Sequence, residues 1–314
     1  MKNYRSIFGP IAVVLLFVVG MRWSPFEPHR LPADPSGAPG ETESWSDEDW
    51  AVLESTVRGA RDAQLDTLPL GELMAVIGRS LVGTAYVPRT LEVDGEERLV
   101  INFQGLDCVT FVENVFTLAR FVKSDLASQL DVRGRIEGEY ERGLRALRYR
   151  NNVIDGYPSR LHYFSDWIGD NERKLLLRDI TEELGGIEDR ERIDFMSTHP
   201  DAYWQLADPG NLEDIRKTEI RLTAAPRHFI PQAEITNREE GIRNGDIIAA
   251  TSTVAGLDVA HTGLALWVDG TLRLLHAPLV GEGVQISEVS LARRIERIDG
   301  QDGIIVARPL ERTR

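Results

Sequence analysis

The chain has 314 residues, 42% hydrophobic and 27% charged, enough apolar material for a sizeable core and too little for a multi-span membrane protein. Its formal net charge is −14; an acidic surface repels phosphate backbones and no Lys/Arg-rich run offsets it, which argues against a nucleic-acid partner. Cys108 is the only cysteine, so an intramolecular disulfide and a cysteine-based metal cluster are excluded.

Lys2 and Arg5 precede an apolar run over residues 7–21, and Arg22 and Trp23 follow. A basic start followed by an apolar segment shorter than the roughly 20 residues of a full span is the layout of a signal peptide. No small-x-small cleavage site follows directly. Residues 1–23 are therefore expected to be either a cleaved signal peptide or an N-terminal membrane anchor, with residues 7–21 as the tether. The positive start predicts a cytoplasmic N-terminus and a remainder on the periplasmic side of the cell envelope. Residues 24–45 contain Pro25, Pro28, Pro32, Pro35, Gly37, Pro39 and Gly40 and read as a disordered stalk.

A folded domain is expected over residues 46–314. Ser46 caps a helix running through Trp50, Leu53 and Val57. Residues 70–82 read as a second helix, with Leu73, Met74, Ile77 and Leu81 on one face. Residues 99–103 form a short strand-like apolar run. Asp107 is then a good N-cap for a helix whose apolar positions Val109, Val112, Val115, Phe116, Ala119 and Val122 recur at helical spacing, with Cys108 in its first turn. Residues 124–235 are mixed and polar and read as a helical insert, with charged helical stretches near 172–178 and 212–217. The last part is strand-rich: residues 246–250, then 261–268 and 272–276 joined by Asp269-Gly270, a turn that favours a hairpin, and finally 303–306.

A thiol is a useful nucleophile only as thiolate, and the first turn of a helix favours negative charge. A lone cysteine there reads either as a small buried hydrophobe or as a nucleophile that needs a histidine. The six histidines are His29, His162, His199, His228, His261 and His276. His261 and His276 stand at the outer ends of the expected hairpin strands, where they are neighbours in space. One imidazole can orient the other there, or the pair can be structural.

Four segments carry a family resemblance. Asp107-Cys108-Val109-Thr110-Phe111 resembles the aspartate–cysteine helix start of the NlpC-type papain-like cell-wall peptidase superfamily. Gly83-Thr84-Ala85-Tyr86 is similar to its Gly-Thr-Pro-Tyr segment, His261-Thr262-Gly263 to its His-Val-Gly strand, and Leu274-Leu275-His276-Ala277 to its aromatic-Ile-His-Ala strand. The likeness is closer to the N-acetylmuramoyl-L-alanine amidase-like branch, through residues 107–114, 159–168 and 256–263. Ala85 in place of Pro, Val87-Pro88-Arg89-Thr90 in place of Gly-Gly, and Val109-Thr110 in place of Ser-Gly disfavour the common endopeptidase subfamily.

This resemblance implies an α+β, papain-like fold in which an antiparallel sheet faces the cysteine helix. It implies a cysteine amidase that hydrolyses the amide between N-acetylmuramic acid and L-alanine in peptidoglycan or muropeptides. Cys108 is then the nucleophile, His261 the base and His276 the orienting residue, with no cofactor and no metal. Tyr86, Asp107, Arg160, His162, Tyr163 and Asp166 become candidates for substrate binding, Tyr86 and the polar segment being equally readable as core. Asp258 is a candidate to position the start of the histidine strand. The rival activities are a D-glutamyl–diamino acid endopeptidase and a non-catalytic wall-binding module. A zinc hydrolase lacks a His-Glu-x-x-His motif and a serine hydrolase lacks a Gly-x-Ser-x-Gly elbow.

Overall fold

The computed structural model describes residues 45–130, 132–279, 281 and 283–311. The expected signal or anchor over 1–23 and nearly all of the expected stalk lie outside these residues. No helix among the described residues is long and apolar enough to cross a membrane.

The chain opens with α1 (Asp47–Asp62), α2 (Leu70–Ser80), β1 (Ala85–Tyr86), β2 (Gly105–Leu106), α3 (Cys108–Val122) and α4 (Arg133–Arg148). It continues through α5 (Phe164–Arg173), β3 (Leu177–Asp179), β4 (Ile187–Asp189), α6 (Phe195–Thr198), α7 (Pro209–Ala224), β5 (Arg227–Pro231) and α8 (Ile235–Arg238). It ends with β6 (Ile247–Ser252), β7 (Val259–Val268), β8 (Thr271–His276), β9 (Gln285–Ile286), α9 (Leu291–Arg297) and β10 (Gln301–Pro309). Among the described residues, one antiparallel sheet runs in the order β4-β5-β10-β6-β7-β8-β9, with β3 also on β10, while β1 and β2 pair in parallel apart from it. The class is α+β.

Strand alternation gives the sheet two apolar faces. Leu264 and Leu266 pack with Leu53, Leu73, Phe111, Phe116 and Trp167 from α1, α2, α3 and α5. Ala265, Leu272 and Leu274 pack instead with Ile235 of α8 and with Leu291 and Ile295 of α9. Helix α3 is buried along nearly its whole length, from Thr110 to Val122, so the start of that helix has little freedom to shift.

Local signals hold where they are strong. Ser46 Oγ accepts from Asp49 N at 3.0 Å and caps α1. Asp269 and Gly270 have φ of 49° and 74°, the doubly left-handed turn that fits the twist of a tight hairpin. Four expectations fail. Residues 99–103 form no strand: Phe103 N donates to Asp49 Oδ1 at 2.7 Å, while Val100 O accepts from Arg148 Nη1 at 2.7 Å and Asn102 O from Asn114 Nδ2 at 3.1 Å. Side chains thus replace the missing neighbour strand. Leu177 and Arg178, the end of the stretch near 172–178 expected as helix, belong instead to β3 against β10. Trp45, placed at the end of the stalk, packs edge-on to Tyr140 with ring centroids 5.3 Å apart and donates to Glu141 Oε1 at 2.9 Å. The segment read as an insert is also not separate, because β3, β4 and β5 extend the main sheet.

Candidate active site

Asp107 builds the start of α3. Its Oδ1 accepts from Val109 N at 3.1 Å, from Thr110 N at 2.8 Å and from Thr110 Oγ1 at 2.8 Å, and its own N–H donates to Thr110 Oγ1 at 2.9 Å. This is a reciprocal capping box. Phe111 N bonds Asp107 O at 3.0 Å, so the Cys108 N–H is the first-turn amide left to meet a developing oxyanion. Oδ1 of the Asp107 carboxylate is committed to the cap.

The histidines come from β7 and β8. His261 Nε2 lies 2.7 Å from His276 Nδ1, with the rings at 86°. The β7–β8 register pairs Leu264 with Leu275, so the two histidines sit diagonally across the hairpin rather than directly opposite. Gly263 lies between them in this pairing: a Cβ there would meet Leu275 O at 2.8 Å and His276 Cβ at 2.9 Å. The register of β6 against β7 shifts between Ala250 and Thr251, which gives β7 an extra residue just before His261. A bulge of this kind re-aims neighbouring side chains. With Nε2 of His261 engaged by His276, Nδ1 is the atom left to receive a proton from a thiol.

Thr262 joins the two parts. Its Oγ1 donates to Cys108 O at 2.8 Å, from a residue only 2% exposed. The helix start is thereby tied to the strand residue next to His261. The Cys108 thiol is pushed up to about 12, first by burial and then by the Asp107 charge, against hydrogen bonds from Thr262 that lower it. Burial and a neighbouring carboxylate therefore outweigh the helix N-terminus that sequence reasoning invoked. His261 is held well below 6.5 by burial, then by His276 and Arg294, and His276 falls to about 3 through burial and Arg294. At neutral pH the resting site holds a neutral thiol and two neutral imidazoles.

Tyr86 on β1 is carried beside this centre by the pairing of Tyr86 with Leu106. Burial raises its phenol, and the charges of Cys108 and Asp107 add to that. Arg294 on α9 had no sequence signal. Its guanidinium is lowered to about 10 by burial and raised by Cys108. It also shifts both histidines, so thiol, imidazoles and guanidinium share one electrostatic neighbourhood. Thr262 lay inside the recognised strand motif, but its hydroxyl was not singled out.

The polar segment before α5 turns inward. Arg160 is 4% exposed and donates to Leu91 O at 2.8 Å and to Glu92 Oε1 at 2.7 Å. His162 Nε2 lies 2.8 Å from Tyr157 O, and burial, then Arg160, keeps its imidazole neutral. Tyr163 OH donates to Glu219 Oε1 at 2.7 Å and accepts from Met196 N at 2.8 Å. Asp166 is 1% exposed and takes Arg150 and Arg221, each at 2.8 Å. These four were expected to touch substrate. Each of them gives at least one polar atom to a protein partner. Asp258 accepts from Ser165 N and Val259 N, both at 2.8 Å, and so ties the start of β7 to α5.

The AmiA-like family, described as N-acetylmuramoyl-L-alanine amidase-like, matches residues 76–304, a span that holds the cysteine helix and the histidine hairpin. The chain belongs to that family. A solved N-acetylmuramoyl-L-alanine amidase from Bacteroides uniformis is 37% identical, with a TM-score of 0.71 over 77% of this chain and 99% of its own. A Bacteroides fragilis protein named for a proposed xylanase activity is also 37% identical, with a TM-score of 0.68 over 74% of this chain and 98% of its own. A Legionella pneumophila protein of family DUF1460 is 19% identical, with a TM-score of 0.61 over 83% of this chain and 96% of its own, and shares the fold. No curated protein matches.

Proposed function

We propose that the protein is a cysteine amidase of the papain-like, NlpC-type mechanism that cleaves the amide between N-acetylmuramic acid and L-alanine. The observation that carries this reading is the 2.7 Å contact of His261 Nε2 with His276 Nδ1 beside a strand residue bonded to Cys108. As the thiol attacks the amide carbonyl, His261 Nδ1 takes its proton and His276 steadies the imidazolium. The Cys108 N–H, with Tyr86 nearby, receives the oxyanion. His261 then protonates the leaving amine, and water hydrolyses the thioester to free cysteine and a sugar lactate. The neutral resting pair fits this order, because the proton moves only when a carbonyl is in place to take the sulfur's electrons.

The substrate class rests on family membership. A glycosidase works through two carboxyl groups, whereas the groups gathered here are a thiol and two imidazoles. Residues 1–23 as export signal or anchor, 24–44 as a stalk and a periplasmic location complete the proposal. Digestion of a defined muropeptide, with the products weighed, tests it. A free sugar lactate and an intact stem peptide support the amidase; a shortened stem attached to sugar means an endopeptidase. Full turnover by Cys108→Ala would reject the mechanism.

A further inference from the structure

Val87 N donates to Leu106 O at 3.2 Å, which holds the segment leaving Tyr86 against the residue two before Cys108. Two residues on, Arg89 adopts a left-handed φ of 60°, and Glu92 N closes a turn onto Arg89 O at 3.0 Å. A side chain with a Cβ resists that conformation, and such strain collects where function fixes a residue. Glu92 anchors the turn: Oε1 accepts from Arg160 Nη2 at 2.7 Å, and Oε2 accepts from Gln205 Nε2. Gln205 follows Trp204, which is 53% exposed. Tyr203, on the other side of Trp204, feels the charges of Arg89 and of Asp258, three residues before His261. Segments 87–92 and 203–205 therefore meet, a few residues along the chain from Tyr86.

The Arg89 side chain is exposed and makes no side-chain hydrogen bond or ion pair among the described residues. An exposed indole offers an apolar face to the C–H side of a pyranose ring. A planar guanidinium offers a fork of donors to hydroxyl and acetamide oxygens. The indole is the group that favours a sugar, since a guanidinium would take a peptide carboxylate as readily.

We propose that Trp204 and Arg89 form a sugar subsite at the rim of the cysteine centre, which takes the N-acetylated pyranose on the acyl side of the scissile amide. The inference rests on the amidase reading and deepens it. The sugar lies toward segments 87–92 and 203–205.

The test is calorimetric titration of full-length Cys108→Ala protein, which binds without turnover. One probe is an N-acetylmuramyl tripeptide; the other is the same tripeptide with an acetyl group in place of the sugar lactate. Adding Trp204→Ala or Arg89→Gln is expected to raise Kd for the sugar probe about tenfold each and leave the acetyl probe unchanged. Trp204→Phe is expected to stay within about twofold of the parent, since it keeps an aromatic face. Unchanged sugar binding in both variants, or equal losses on both probes, overturns the subsite. The outcome is separable from the amidase reading: sugar-selective binding by a wild-type protein that releases no sugar lactate would sink the activity and keep the subsite.

Discussion

Thr262 Oγ1 donates to the carbonyl of Cys108 at 2.8 Å, joining a helix start to a strand 154 residues later. This bond tethers the thiol-bearing residue to the strand of its proposed base. Thr262→Val keeps the shape and removes the hydroxyl. It is expected to lower stability by about 1 kcal/mol and kcat by about tenfold with KM nearly unchanged, while Thr262→Ser restores both. Urea unfolding and steady-state kinetics on a muropeptide check this; full kcat in the valine variant would remove the tether from the mechanism.

The Cys108 thiol is pushed up to about 12, whereas a free cysteine ionises near 8.5. Iodoacetamide reacts with thiolate, so labelling of the folded protein at pH 7 should run at least about tenfold slower than labelling of the urea-unfolded chain. The folded rate should still climb above pH 9. Equal rates in both states would mean a thiolate already formed at rest.

Acid sensitivity follows from the histidine pair. His276 is held down at about 3 and His261 well below 6.5, each through burial first. Between those values and 6.5 the unfolded chain binds more protons than the fold. The pair's contribution is therefore fully present above about pH 6.5 and lost as pH falls toward the folded values. In the double variant His261→Gln/His276→Gln, unfolding free energy should fall less steeply between pH 6.5 and 4.5 than in the parent. Parallel curves would show that other groups set the acid limit.

Beneath the cysteine helix, Arg148 Nε donates to Glu113 Oε2 at 2.7 Å, and Trp167 Nε1 reaches Glu113 Oε1 at 3.1 Å. Both charges are buried, at 1% and 2% exposure. Glu113→Ala leaves a guanidinium uncompensated and is expected to cost about 3–5 kcal/mol, whereas replacing both partners by Leu and Met costs far less. Chemical denaturation of the three proteins decides it; equal losses would show that the pair stabilises through more than its mutual charge.

The cap at Asp107, the helical spacing after Cys108, the helices led by Ser46 and Leu70 and the Asp269-Gly270 hairpin were legible in the chain, because each is written within a dozen consecutive residues by capping, period or turn chemistry. Family likeness added the order of cysteine and histidines. Tertiary structure alone decided the rest. Residues 99–103 read as strand because apolar runs look alike whether a strand or a set of side chains satisfies their backbone. Arg160, His162, Tyr163 and Asp166 read as substrate contacts, yet the partners Glu92, Glu219 and Arg221 of three of them lie 55 or more residues away in the chain, and no local pattern says whether a polar side chain turns inward. Thr262 and Arg294 reach the thiol's surroundings only because strand and helix packing bring them there, and the ionisation of Cys108 follows burial, a property of the whole fold rather than of any segment.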